Sequence, residues 1–157
     1  MDLAVAVGTD KSSYDYGETL DVVVTVRNVS SRILFLVSQP RWHPAGKNRI
    51  EILLGEAAEG MHGAYYAYRM PDFRRVSAGA SVPFSFSIGM PLHRPFIDRD
   101  HVYQEEEVPA FGTVSLVTRV AYLMTPFKPR TNDPLRELVA RQLLTKSVAL
   151  KIQVQKS

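Results

Sequence analysis

The sequence predicts an all-β protein built as a two-layer antiparallel β-sandwich of about eight strands, with one short helix between the last two. Three observations carry this expectation. Leu20, Val22, Val24 and Val26 alternate with Thr19, Asp21, Thr25 and Arg27, which puts branched apolar side chains on one face of a strand and polar ones on the other. Val82, Phe84, Phe86 and Ile88 repeat that period against Ser81, Ser85 and Ser87, and Val148, Leu150, Ile152 and Val154 repeat it against Lys151 and Gln153. Runs of this kind separated by turn residues indicate packed antiparallel sheets.

The elements follow in order. Leu3, Val5 and Val7 form a first strand closed by Gly8-Thr9-Asp10, and Leu20–Val26 is the second. Ile33–Val37 is an uninterrupted apolar run, the mark of a central strand buried on both faces. Pro40 to Gly46 breaks the pattern, and Ile50, Ile52 and Leu54 resume it as a fourth strand. Tyr65-Tyr66-Ala67-Tyr68 is a short aromatic fifth, ended by Pro71. In the sixth, Pro83 falls on the outer face. A proline donates nothing to a ladder, so that strand belongs at a sheet edge or carries an irregularity. Gly89 to Pro109 shows no period and reads as a long connection. Val114–Leu123 and Val148–Val154 complete the eight. Between them Asp133 caps, Pro134 suits the first turn, and Leu135, Leu138, Val139 and Leu143 share one face of a helix that packs over an end of the core.

At 157 residues with 45% hydrophobic content, the chain is of one-domain size, residues 1–157, and buries its own core. The absence of cysteine excludes a disulfide framework and thiol chemistry. No apolar run is long enough for a membrane-spanning helix. Residues 1–7 are unlike a signal peptide, which leaves a cytoplasmic protein or, the slightly preferred expectation, a periplasmic or secreted one with its leader removed. Charge is uneven: residues 1–110 carry 11 Lys/Arg and 14 Asp/Glu, residues 111–157 carry 8 and 2. Solubility alone accounts for a basic face of that size.

Ser13 to Ser31, with Gly17-Glu18 before an alternating strand that closes on Asn28, resembles the opening of immunoglobulin-like domains of bacterial type. Ala78 to Pro91 and Phe111 to Val120 resemble their later strands. The tyrosine that such domains place two residues after the glycine is replaced by Val114, and the antibody-type cysteines and strand tryptophan are missing. The glycine-led aromatic strand, proline exit and long loop are also similar to arrestin-like sandwiches, which would imply an adaptor role. Fold-level analogy does not fix function.

Motifs for catalysis are absent, with no G-x-S-x-G, no H-E-x-x-H and no phosphate loop, so a non-enzyme without cofactors is expected. Nucleic-acid binding is not expected either, since the basic region lacks interleaved aromatics. Asn28-Val29-Ser30 fits a glycosylation acceptor. Met61, His62, Met70, Met90 and His93 are soft-metal ligand types, and Asp98, Asp100, Glu105, Glu106 and Glu107 are calcium ligand types, but neither set has metal-site spacing and no metal ligand is assigned. The expectation is therefore a non-enzymatic protein-binding module acting through loops and sheet surface, whose candidate contact residues are Trp42, His43, Tyr103, Arg130 and Arg136. The alternative is a carbohydrate-binding or metal-binding (copper or calcium) domain.

Overall fold

The computed structural model describes residues 2–37, 40–54, 73–128, 130 and 144–156. The alternating segment that dominates the sequence is strand β3 (Thr19–Asn28), and Leu20, Val22, Val24 and Val26 are all buried on one face. It is the middle strand of a three-stranded antiparallel sheet, between β1 (Leu3–Thr9) and β8 (Ser81–Gly89). Pro83 stands opposite Thr25 on β8, an edge strand, where its missing N–H costs no ladder bond.

A second sheet has seven strands. Its path runs β2 (Ser13–Asp15), β12 (Leu144–Gln155), β11 (Gly112–Leu123), β4 (Leu34–Val37) and β7 (Phe73–Val76). The hairpin of β5 (Pro40–Pro44) and β6 (Arg49–Leu54) joins beside β11. Strand β11 is long enough to take β6 along residues 115–120 and β4 at Tyr122 and Leu123 on the same edge, with β12 along the other. A third sheet is the two-stranded ribbon of β9 (Leu92–Ile97) and β10 (Tyr103–Val108).

The inward faces of the first two sheets meet in one apolar cluster. It includes Leu20, Val24, Phe84 and Ile88 from the smaller sheet and Leu36, Ile50, Ile52, Leu116 and Ile152 from the larger. On the opposite face of the larger sheet Val37, Leu53, Ala121 and Leu123 are also buried, outside that cluster.

Asn28 ties the two sheets together. It is 0% exposed. Its backbone N–H donates to Ala80 O and its carbonyl accepts from Gly79 N, while its side-chain Nδ2 donates to Arg32 O at 2.6 Å and to Val76 O at 2.9 Å. Its Oδ1 accepts from the Ser30 N–H and hydroxyl. One side chain thus holds the end of β3, the turn after it and the end of β7, where the chain crosses to β8. A glycan could not be attached to an amide so enclosed, which removes the acceptor reading of Asn28-Val29-Ser30 in the folded protein.

The all-β class is as the sequence indicates, but the expected architecture is corrected. Among the described residues there are twelve strands in three sheets rather than about eight in two, and no helix. Residues 133–143, where the helix was expected, and the aromatic strand expected at 65–68 lie outside the described residues. The larger sheet is mixed, since β6 pairs with β11 and β2 with β12 in parallel. Strand count and direction depend on long-range pairing, which alternation within one segment does not encode. Among the described residues no helix is long and apolar enough to cross a membrane.

Candidate interaction surface and adjoining cleft

The segment read as a long connection is a projecting hairpin. At its base Leu92 is buried opposite Val108, and Ala110 follows in the core. The Tyr16 hydroxyl donates to Glu107 Oε1, and Arg94 pairs with Glu106 through its Nε at 2.8 Å. Burial of the ring, together with the Glu107 carboxylate, pushes the Tyr16 phenol up to about 12. Toward the tip the burial ends. Phe96 (40% exposed), Ile97 (69%), Val102 (51%) and Tyr103 (67%) lie on either side of the turn, with Ile97 and Tyr103 opposite each other. Among the described residues the two strands form a ladder only with one another.

Asp98 builds the turn. Its Oδ1 accepts from the Asp100 and Val102 N–H groups at 2.9 and 3.0 Å, and its Oδ2 accepts from Gln104 Nε2 at 3.1 Å. His101 takes a left-handed conformation, φ 60°, with its N–H on Asp98 O. The Val102 N–H, then the Gln104 amide, hold the Asp98 carboxyl below the ordinary aspartate range. A group with a depressed folded pKa contributes stability above its unfolded value, which is lost as pH falls through the folded one. Asp98 is therefore expected to titrate below a free aspartate in a carboxyl-carbon NMR titration, with the Asp100 and Val102 amides shifting in step. A midpoint at the ordinary value would contradict this account of the turn.

Behind the ribbon lies a cleft of about 470 Å³ lined by Gly46, Lys47 and Asn48 of the β5–β6 turn, by Arg94, and by Val108, Pro109 and Phe111. Phe111 is fixed from several sides. Its N–H and C=O bond to the Asn48 side chain at 3.2 and 2.8 Å, its ring lies 4.5 Å from that of Tyr16, and the Lys156 ammonium sits 5.8 Å from its centroid. Asn48 itself is left-handed, φ 54°, a conformation asparagine tolerates better than most residues.

The four sequence-predicted contact residues that are described are spread over β5, β10 and the segment after β11. Trp42 is on strand β5, not in a loop, and is partly buried against the core. His43 points to the other face, where its Nε2 lies 3.1 Å from Glu51 Oε2. Arg49 and Arg119 approach the other oxygen of that carboxylate, at 2.9 and 3.4 Å. Glu51, whose side chain is only 14% exposed, is thus the hub of a charge network that organises β5, β6 and β11. Tyr103 is exposed as expected, though on a strand. Arg130 is exposed, and Arg136 lies outside the described residues.

Sequence reasoning missed Phe96, Ile97 and Val102, and it missed Lys47, Asn48, Arg94 and Phe111. The apolar pair 96–97, four polar residues and the apolar pair 102–103 form a hairpin signal that the prolines and charges of the segment obscured. Of the residues considered for metals, Met61, His62 and Met70 lie outside the described residues. Met90 is buried, His93 is exposed on the ribbon, and Asp98 is committed to its turn. Among the described residues no group of three or more metal-ligating His, Asp or Glu side chains comes together.

No family model and no curated protein matches the chain. Among solved structures it is similar to the β-glucosidase from Listeria innocua in complex with isofagomine, at 12% identity and a TM-score of 0.40, over 98% of this chain and 16% of that one. A mutant of that enzyme with laminaribiose gives 12% identity and 0.36, over 97% and 16%. The glucose complex gives 14% and 0.34, over 98% and 16%. The chain thus spans about a sixth of their length, and similarity at this level assigns no function.

Proposed function

We propose that the protein is a non-enzymatic binding module that engages another protein through the tip of the β9–β10 ribbon. The carrying observation is the exposure of Phe96, Ile97, Val102 and Tyr103 together on a hairpin whose base is anchored in the core. Aromatic and aliphatic side chains grouped this way mark contact sites, because desolvating them gains free energy that a scattered apolar surface does not. Residues 92–108 carry five carboxylates against two arginines. The partner is accordingly a protein surface with an apolar pocket and a basic rim.

The double variant Phe96→Ser/Tyr103→Ser tests this. It is expected to melt within about 3 °C of the parent, as exposed substitutions do, and to lose a partner that the parent retains under chemical cross-linking from source lysate. That capture should weaken as salt rises. Unchanged capture by the double variant would overturn the ribbon as the contact site.

A second reading, carbohydrate binding, is favoured by the cleft, since a fixed aromatic wall such as Phe111 suits the flat side of a sugar ring. Binding on a glycan array that survives the ribbon substitutions and is lost on blocking the cleft would favour it.

A further inference from the structure

We infer that the cleft between the β5–β6 turn and the ribbon base binds a ring-bearing carboxylate. The inference rests on the charge and shape of the cleft rather than on the ribbon, and it narrows the carbohydrate reading to acidic sugars as one of two ligand sources.

The walls divide by chemistry. Val108, Pro109 and Phe111 offer an apolar surface, while Lys47 and Arg94 supply cations. The only carboxylate paired with either among the described residues is Glu106, on Arg94. Lys47 is exposed and makes no ion pair or hydrogen bond among the described residues. Among the described residues Lys47 has no carboxylate partner, and the neighbouring Phe111 has its backbone held by Asn48 and its ring packed on Tyr16. A preformed site of this kind loses little entropy on binding. Its volume admits a one- or two-ring ligand. A neutral ring would forgo the attraction of Lys47, and a bare inorganic anion would leave the apolar wall wet.

Two sources offer this chemistry, aromatic acids and sugar acids, and the test separates them. Amide NMR spectra of the protein would be titrated with indole-3-acetate and, separately, with glucuronate, each against its neutral counterpart, indole-3-acetamide or glucose. Shifts are expected at residues 46–48 and 108–111 with at least one acid, and its neutral counterpart should bind about threefold to fivefold more weakly, the size of one exposed ion pair. Lys47→Gln should weaken the acid to the level of the neutral compound, and Lys47→Glu should weaken it further. Both variants lie at an exposed turn position, and an unchanged spectrum elsewhere reports their folding. Equal binding of acid and neutral compound, or no shift with either acid up to about 10 mM, the weak end of small-ligand affinity, would overturn the inference. Binding of glucose alone would overturn it while leaving the carbohydrate reading standing.

Discussion

Asn28→Ala is expected to destabilise the protein by about 3 kcal/mol, because it orphans one buried carbonyl, at roughly 1–3 kcal/mol, and removes part-buried hydrogen bonds beside it. The buried Val76 carbonyl loses the Asn28 donor and the Ser30 N–H loses its acceptor, while the Arg32 carbonyl keeps only the Ser30 hydroxyl. For a chain of this size that corresponds to a melting temperature lower by about 10 °C. Asn28→Asp is the sharper control, since it keeps the acceptor for Ser30 but removes both donated bonds. It should cost at least as much as alanine. Equilibrium urea denaturation measures both, and a loss below about 1 kcal/mol for alanine, the ordinary net worth of one hydrogen bond, would contradict the account of Asn28 as the tie between the sheets.

Leu116→Ala is expected to cost about 2–5 kcal/mol, the range for a large-to-small change in a core that relaxes only in part. Leu116 is 0% exposed. It lies in the middle of β11 with Leu150 of β12 on one side and Ile50 of β6 on the other, so paired strands limit collapse into the cavity from both directions. The same substitution at Leu144, exposed at the start of β12, should fall within about 0.5 kcal/mol of the parent. Similar losses at the two positions in urea denaturation would show that β11 is not the centre of the larger sheet.

The contrast between β3 and the ribbon explains what the sequence disclosed. Strand β3 has one face on the core and one in water, so Leu20 to Val26 must alternate and the period is legible. The same holds for β8, where Pro83 indicated the edge and the structure has one. Strand β5 left no such trace. Pro40, Trp42 and Pro44 break the usual composition, and the strand exists because β6 provides a ladder for it. The ribbon is exposed on both faces over most of its length, so neither face demands a period of two. Parallel pairing of β6 with β11 has no local signal. Within the candidate site, Tyr103 was legible as an aromatic in an irregular segment. Its neighbours Phe96, Ile97 and Val102 became visible only when the turn at Asp98 brought them together, and Trp42 lies partly buried against the core.

The proposed function requires that binding belong to the ribbon tip and not to the sheet surfaces. A photo-cross-linking amino acid in place of Tyr103 tests it most directly, compared with the same group in place of Val23, an exposed residue on the outer face of the three-stranded sheet. The account predicts a discrete protein adduct from position 103 that is suppressed by high salt, and none from position 23. Adducts from position 23 alone, or the same adducts from both positions, would contradict it.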